Sequence, residues 1–284
     1  MYAMKLSFAT LGCPAWTIEQ VARNARRMGF DGVELRGVAG EHIGPDETAA
    51  SRAAIKRLFA EAGVEIACIS GYPRFTWSDP ARRENDIADA IKLIEVARDI
   101  GCPLLRIFGG DTGELDRDVC VRLVVESLHK IVPHAAKAGV TLALESHDAW
   151  CKGADLKAIL DGVASNALGV CWDICNSHFA EPLATTYKII GDAIVHVHFK
   201  DAGHDARNTL VSKLPGTGEV DMRQSLALLH SGRYHGYLSF EWEKKWEPGL
   251  AEPELAFPHF MQHSTALMRE LGIPRLDIMN RCDR

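Results

Sequence analysis

The chain has 284 residues, of which 47% are hydrophobic and 25% are charged. This composition is typical of a soluble globular protein that buries a large core, and it excludes an intrinsically disordered chain. The formal net charge of -6 opposes the attraction to phosphate on which non-specific nucleic-acid binding depends, so we expect no nucleic-acid partner.

One pattern recurs along the chain: a helical stretch ends in glycine, and a short aliphatic or β-branched run begins a few residues later. A glycine just after a helix takes the left-handed conformation that ends it, and a short loop then leads into a strand. The glycines concerned are Gly29, Gly63, Gly101, Gly139, Gly191 and Gly232. Together with two further runs, Lys5 to Thr10 and Leu168 to Trp172, the pattern predicts eight strands, near residues 6, 33, 66, 105, 142, 169, 195 and 238.

Capping signals predict where helices begin between these strands. Thr17 and Gln20 have the spacing of a capping box, and Asp79 with Pro80 is typical of a cap followed by proline at the first helical position. The segment from Glu254 to Leu271 is predicted to be the closing helix.

Regular alternation of strand and helix implies parallel strands joined by right-handed crossovers. Eight such units predict an α/β fold, a (β/α)8 TIM barrel in which residues 1–284 form a single domain. A doubly wound sheet is disfavoured because no glycine-rich phosphate loop follows the first strand.

Polar side chains end four consecutive strands of this barrel. Side chains alternate between the faces of a strand, so Glu145, His198 and Glu241 oppose the apolar residues that pack against helices. They therefore point into the barrel mouth, where enzymes of this fold keep their active sites. Asp173 ends the sixth strand in the same way. One such residue alone would indicate a helix cap or a core histidine, but four at successive strand ends indicate a site.

Three carboxylates and one imidazole in one place indicate a site for one divalent metal ion. Without a cation the buried carboxylates would repel one another, and each would cost on the order of several kcal/mol to desolvate. Oxygen-rich ligands favour Mn2+ or Mg2+, while Zn2+ and Co2+ are also compatible. No second cysteine pair completes a structural zinc site around Cys171 and Cys175.

Further polar residues share the inward faces of these strands. His196 lies one layer deeper than His198 and is predicted to be structural. Glu34 and Arg36 share one face of the second strand, and Arg106 is expected to face inward on the fourth. For these three residues an internal ion pair and a contact with substrate are both open.

The cysteines and the N-terminus indicate the cellular compartment in which the protein is expected. The eight cysteines are predicted to be reduced, mostly buried hydrophobes: Cys13, Cys68, Cys102, Cys120, Cys151, Cys171, Cys175 and Cys282. The N-terminus lacks the apolar region of a signal peptide, and no stretch approaches about eighteen uninterrupted apolar residues. We therefore expect a cytoplasmic protein with no membrane partner.

Several segments resemble the sugar phosphate isomerase/epimerase superfamily of xylose-isomerase-like TIM barrels, the AP endonuclease family 2 type, and the likeness spans nearly the whole chain. These segments are Leu144 to His147, Trp172 to Asp173, His196 to Asp201, Pro215 to Asp221 and Gly236 to Glu241. The resemblance implies that Glu145, Asp173, His198 and Glu241 bind the metal, as the matching residues of ketose epimerases do. It also implies that the two glutamates transfer protons on opposite faces of the substrate.

The sequence departs from the superfamily pattern at Asn176. Many relatives have a histidine there, three residues after the strand-six aspartate, whereas His178 falls two residues later. The additional histidine and aspartate ligands of endonuclease IV are not found either, which disfavours a DNA-repair enzyme.

The expected chemistry follows from the metal. A metal that chelates a carbonyl and the neighbouring hydroxyl of a ketose acidifies the adjacent C-H and stabilises the resulting enediolate. We therefore expect a metal-dependent isomerase or epimerase for a small sugar, ketose or polyol-derived carbonyl substrate, with Glu145 and Glu241 as bases. An inosose-type dehydratase, which is a lyase, and a barrel that binds a sugar without catalysis are the alternatives.

Candidate substrate contacts surround the predicted metal. His147 and Asn176 are expected to bind hydroxyls, and Trp16 or Trp77 to pack on the apolar face of a sugar. The segment from Lys200 to Asp221 is predicted to be a long functional loop.

The charge of the metal centre favours a neutral substrate. Three ionised carboxylates around a divalent cation leave a formal charge of about -1, which discourages a further anion nearby. If the substrate carries a phosphate, Lys200 and Arg207 are the predicted cations for it. A homodimer or homotetramer is compatible with the sequence.

Overall fold

The computed structural model describes residues 3–275, which contain a closed barrel of eight parallel strands. The barrel strands are β1 (Lys5–Ala9), β2 (Gly32–Gly37), β3 (Glu65–Gly71), β4 (Leu104–Ile107), β5 (Thr141–Glu145), β6 (Leu168–Asp173), β7 (Ile194–His198) and β10 (Tyr237–Phe240), while β8 (Asp201–His204) and β9 (Leu210–Lys213) form a separate hairpin. All eight predicted strands are present, and β1 pairs with both β2 and β10 to close the barrel. The predicted TIM barrel is confirmed.

Helices connect the strands and surround the barrel. They are α1 (Ile18–Met28), α2 (Ala49–Ala62), α3 (Pro80–Ile100), α4 (Arg117–Ala138), α5 (Gly153–Val163), α6 (Ile174–Ala180), α7 (Leu183–Ile190), α8 (Met222–Ser231) and α9 (Pro253–Glu270). Thr17 and Gln20 form the predicted capping box at α1, and Asp79 caps α3 in front of Pro80. The closing helix α9 lies where it was predicted, shifted by one residue.

The role predicted for the helix-ending glycines is correct at four positions and wrong at two. Gly29, Gly63, Gly101 and Gly139 adopt left-handed conformations, with φ of 78°, 64°, 81° and 69°. Gly191 and Gly232 have φ of -52° and -84° instead. A Cβ atom at Gly232 would lie 1.8 Å from the hydroxyl oxygen of Tyr187. Close packing therefore explains this glycine, and Arg233 takes the left-handed position after α8.

An aromatic cluster docks α9 against the barrel. Phe257 stacks on Phe8 of β1 with ring centroids 4.3 Å apart, and Phe260 stacks on Phe240 of β10 at 4.7 Å. All four rings are fully buried. Because burying one such ring contributes roughly 1.5 to 3 kcal/mol, this contact holds the last helix over the seam between the first and last strands.

The segment from Lys200 to Asp221 differs from the predicted loop. It contains the antiparallel hairpin of β8 and β9, whose turn is closed by Asp205 accepting the backbone N-H groups of Arg207 and Thr209. Asp201 then accepts hydrogen bonds from the backbone N-H groups of Gly216 and Gly218, at 2.9 and 2.8 Å. These bonds tie the returning chain to the start of β8.

The cysteines of the described residues are all free thiols, and Cys282 lies outside that range. Within residues 3–275, no helix combines the length and the apolar character needed to cross a membrane.

Candidate active site

The four strand ends bring the predicted metal ligands to one point. Glu145, Asp173, His198 and Glu241 are buried, and one ligand atom from each lies within 4.8 Å of the others. The Nδ1 atom of His198 lies 3.2 Å from Glu145 Oε1 and 3.2 Å from Glu241 Oε2. It lies 3.8 Å from Asp173 Oδ2.

Strand register explains this convergence. Asp173 of β6 pairs with His198 of β7, and Ser239 of β10 pairs with His198 from the other side. Apolar neighbours such as Val197 and Phe240 are fully buried on the opposite face, so alternation directs the ligands inward.

Asp173 has two roles at once. Its Oδ1 atom accepts the backbone N-H of Asn176 at 2.9 Å and so caps α6. Its Oδ2 atom faces the cluster, 3.0 Å from the ammonium nitrogen of Lys200. The carboxylate is therefore both a helix cap, through Oδ1, and a candidate metal ligand, through Oδ2.

The donor set suits a divalent cation. Glu145 Oε2 and Asp173 Oδ2 are buried without a hydrogen-bond partner. Glu145 Oε2 has an ion-pair contact with Arg106, and Asp173 Oδ2 has ion-pair contacts with Lys200 and His198. Burial alone would raise the pKa of Glu241, but His198 and Lys200 hold that pKa well below its usual range. Ionised carboxylates with unused oxygens, beside an imidazole, are the hard donors that such an ion requires.

For Glu34 the sequence left an internal ion pair and a contact with substrate open. The structure places its carboxylate in ion-pair contact with the buried histidines His196 and His198 rather than with Arg36. It lies beneath the cluster, fully buried, with His198 Nε2 3.1 Å from its Oε1 atom. Arg36 instead donates to the hydroxyl of Tyr72 and pairs with Glu41.

His196 and Arg106 also contact acidic residues. His196 Nε2 lies 2.9 Å from Glu34 Oε2 and makes no contact with the four-residue cluster other than its packing on His198. Arg106 makes the internal ion pair, with Nε 3.2 Å from Glu145 Oε2, and its guanidinium packs on the ring of Phe108. Its Nη1 atom is buried without a hydrogen-bond partner.

A second group, Glu34, Cys68 and His196, also has ligand-type atoms within 4.8 Å. Hydrogen bonds account for Glu34 here, since its oxygens accept from two hydroxyls and two imidazoles. Burial raises the pKa of the Cys68 thiol well above its ordinary value, which keeps it neutral. This group is therefore explained as a hydrogen-bonded core.

Lys200 is the main correction to the sequence analysis. It was expected on a loop as a cation for phosphate, but it is only 8% exposed. Its Nζ atom lies 3.0 Å from Asp173 Oδ2 and 2.7 Å from both Glu241 Oε2 and Glu243 Oε1. Lys200 lies two residues after His198, just past the end of β7, where continued alternation directs both side chains the same way.

Arg207 does not join Lys200. It lies exposed in the turn between β8 and β9, where the described contact is from its backbone N-H to Asp205. The structure therefore does not assemble the predicted phosphate pair. Glu243, which sequence analysis missed, lies beside Lys200 instead. Its spacing of two residues from Glu241 was the available signal.

His147 and Asn176 follow β5 and β6, the strands that end in Glu145 and Asp173. The ring of His147 packs on Phe108 at 4.6 Å, and its Nδ1 atom lies 2.9 Å from Asp148 Oδ1. Burial would lower the pKa of His147, but Asp148 and Glu145 raise it above its ordinary value. Asn176 donates to the carbonyl of Ser146 at 3.1 Å. With Lys200, it borders a pocket of about 160 Å³.

The two tryptophans have different surroundings. Trp16 donates from Nε1 to Glu254 at 3.2 Å and lines a pocket of about 420 Å³ that His42 and Lys245 also border. Trp77 donates to Asp86 at 2.6 Å, with the guanidinium of Arg82 3.3 Å above its ring. Trp77 is thus engaged in packing its own loop.

Comparison with known proteins gives a consistent result. A family model described as xylose isomerase-like TIM barrel matches residues 22–264. Fructoselysine 3-epimerase of Shigella flexneri is 26% identical over 279 residues, covering 94% of this chain and 99% of the relative.

Two solved structures share the fold. The 3-keto-D-glucoside 4-epimerase of E. coli, in its apo form, superposes with a TM-score of 0.74 and 19% identity, covering 94% of this chain and 99% of that one. The IOLI protein, solved with a bound zinc atom, superposes with a TM-score of 0.79 and 15% identity over the same shares of the two chains.

Proposed function

Because the chain belongs to the xylose isomerase-like TIM barrel family, we propose that it is a sugar epimerase or isomerase that uses one divalent metal ion. The observation that carries the proposal is the buried convergence of Glu145, Asp173, His198 and Glu241 at four strand ends. The similarity to a fructoselysine 3-epimerase along nearly its whole length supports epimerisation of a ketose or ketose derivative.

The metal ion would be held by those four residues. When bound, a divalent cation supplies Lewis acidity that makes the proton beside a carbonyl easier to remove. Mn2+ or Mg2+ fits the oxygen-rich set best, and Zn2+ or Co2+ is compatible with it. The zinc atom in the IOLI structure shows that a barrel of this fold can hold a metal ion, which supports the proposal without identifying the ion used here.

Glu145 and Glu241 are the proposed proton carriers. Each has a carboxylate oxygen 3.2 Å from the Nδ1 atom of His198. The Lys200 ammonium helps keep Glu241 ionised and able to accept a proton, while Arg106 contacts Glu145. If one glutamate removes a proton and the other, protonated beforehand, delivers a proton to the opposite face, the carbon is inverted. If the glutamate that took the proton gives it back to the neighbouring carbon, the sugar is isomerised.

The remaining residues would orient the substrate. His147 and Asn176 are proposed to bind its hydroxyls, and Trp16 to pack on an apolar face beside the pocket of about 420 Å³ that it lines. Arg106, whose Nη1 lacks a partner, is placed to donate to a substrate oxygen beside Glu145. Lys200 is proposed to contact the substrate beside Glu241. Arg207 is proposed to contact the substrate only if a substituent of it extends to the hairpin.

Proton exchange in D2O tests the function directly. The protein, loaded in turn with Mn2+, Mg2+, Zn2+ and Co2+, is incubated with D-fructose, D-psicose, D-tagatose and fructoselysine and followed by NMR. We expect deuterium at one carbon next to the carbonyl of at least one substrate, together with its epimer or isomer. Absence of exchange with every metal and sugar would contradict the proposal, and loss of a β-hydroxyl would identify a dehydratase instead.

A further inference from the structure

Glu34 is the most completely bonded acidic residue near the site. Its Oε1 atom accepts from the Ser70 hydroxyl at 2.6 Å and lies 3.1 Å from His198 Nε2. Its Oε2 atom accepts from the Ser239 hydroxyl at 2.6 Å and lies 2.9 Å from His196 Nε2. All five residues are at most 2% exposed.

These contacts fill the acceptor capacity of the carboxylate. An ionised carboxylate offers about four acceptor sites, and four donors surround this one. Glu34 therefore has no site left for a metal ion or a substrate hydroxyl. Its function must be exerted through the residues that donate to it.

The donors come from three separate strands. Ser70 lies in β3, His196 and His198 in β7, and Ser239 in β10, while Glu34 itself lies in β2. The carboxylate thus fixes side chains from opposite sides of the barrel interior at one level. Of the four donors, only His198 also reaches the cluster of Glu145, Asp173 and Glu241.

We propose that Glu34 is a positioning residue that orients His198 for metal binding. With Nε2 donating to Glu34, the other ring nitrogen, Nδ1, is directed at Glu145 and Glu241 and keeps its lone pair for the ion. The inference rests on the proposed function, since it takes His198 as a metal ligand.

An amide could not replace this carboxylate. In Glu34→Gln, the NH2 group would face donors that now point at Oε1 or Oε2, so at least one imidazole or hydroxyl would lose its acceptor. If the amide nitrogen faced His198 Nε2, the ring would be free to turn. We therefore expect the substitution to act on the metal even though Glu34 does not touch it.

The test compares metal affinity in Glu34→Gln and in Ser70→Ala. Titration calorimetry with Mn2+ measures the affinity of the metal-free protein, and denaturant unfolding measures its stability separately. We expect Glu34→Gln to weaken Mn2+ binding by roughly 10- to 100-fold. Ser70→Ala removes one bond to the same carboxylate without touching His198, so it should lower stability but leave the affinity close to wild type.

Co2+ absorption gives a readout that a loss of stability alone would not move. At saturating Co2+, the visible spectrum should change in Glu34→Gln and stay as in the wild type in Ser70→Ala. If Glu34→Gln does not fold, Glu34→Asp, which keeps the charge but is too short to reach all four donors, should show the same loss of affinity.

Two outcomes would overturn the inference. One is a folded Glu34 variant whose Mn2+ affinity and Co2+ spectrum are those of the wild type. The other is a Ser70→Ala variant whose Mn2+ affinity and Co2+ spectrum change as much as those of the Glu34 variant. Failure of the wild-type protein to bind any of the metals would instead contradict the proposed metal site. The calorimetry therefore separates the two failures.

Discussion

Lys200 donates a hydrogen bond to Glu241, with Nζ 2.7 Å from Oε2 and both side chains buried. The same ammonium reaches Asp173 and Glu243, so one cation serves three carboxylates. Burial would lower the pKa of Lys200, but these carboxylates raise it well above its ordinary value. Lys200 is therefore charged, and it partly neutralises two of the proposed metal ligands.

Removing this charge should destabilise the metal-free protein. Lys200→Met leaves buried carboxylates without their partner, a change that costs roughly 3 to 5 kcal/mol in comparable cases. Saturating Mn2+ should restore part of the loss, because it supplies positive charge at the same oxygens. Urea unfolding with EDTA and with Mn2+ measures both effects.

A matched control is available at the surface. Lys157 pairs with Asp161 on an exposed helix face, and Lys157→Met should cost no more than about 1 kcal/mol. Two results would contradict this prediction: equal losses of stability in the two variants, or a metal-free Lys200→Met protein as stable as the wild type. Either would show that the buried contacts of Lys200 stabilise the protein no more than a surface ion pair does.

The two roles of Asp173 should be separable. Asn is as good a helix cap as Asp, so Asp173→Asn keeps the bond from the backbone N-H of Asn176 while removing the negative charge. Asp173→Ala removes both. We expect one ion per wild-type chain by elemental analysis, weaker metal binding in both variants, and a further stability loss of about 1 kcal/mol in Asp173→Ala. Metal affinity undiminished in Asp173→Ala would eliminate Asp173 as a ligand.

Both proton carriers should be needed for turnover. Glu145→Gln and Glu241→Gln keep the shape of the side chain but cannot take up a proton, and each should lower kcat by roughly 10²- to 10⁴-fold. The rates are measured at saturating metal, so that altered metal affinity does not enter. Glu243→Gln is the comparison, because Glu243 contacts Lys200 without belonging to the four-residue cluster. Near-normal rates in both glutamine variants would end the two-base mechanism.

The sequence could predict the barrel and the four converging residues because both follow from local periodicity. Alternation within β5 and β7 directs Glu145 and His198 inward whatever the rest of the chain does. The same rule could have placed Lys200, two residues after His198, inside the site. It was instead assigned to the loop from Lys200 to Asp221, and in the structure β7 does end before it, at His198.

Other features depend on partners distant in the chain. Glu34 and Ser239 are 205 residues apart, and nothing near either residue indicates that they share a hydrogen bond. The hairpin was missed because β8, Asp201–His204, contains glycine and charged residues rather than β-branched ones. Its pairing with β9 supplies the strand geometry that its own sequence does not favour.

Stability should fall on mild acidification through His263. Burial lowers the pKa of His263, and the nearby His259 lowers it further. The ring packs closely on the backbone, since a Cβ atom at Gly216 would lie 2.3 Å from it. The folded protein therefore binds a proton less readily than the unfolded chain, whose histidine pKa is about 6.5. The stability associated with the neutral ring is complete above that pH and is lost as the pH falls below it.

The measurement is urea unfolding at about pH 7.5 and about pH 5.5, spanning the ordinary histidine range. His263→Gln should lose less stability between the two values than the wild type. An identical loss in variant and wild type would assign the acid sensitivity to other groups.

The site should prefer an uncharged sugar to its phosphate ester. The ligand carboxylates and a divalent ion carry a formal charge of about -1, and the cation once expected to receive a phosphate, Lys200, is already shared among three carboxylates. Arg207 is exposed on the hairpin and is not held near Lys200, so it offers a phosphate no preformed partner. We therefore expect kcat/KM to be higher for a free ketose than for the matched phosphorylated ketose, and Arg207→Ala to leave the value for the free ketose unchanged. A strong preference for the phosphate that disappears in Arg207→Ala would restore the hairpin as a phosphate contact, and one that survives in this variant would refute the charge argument itself.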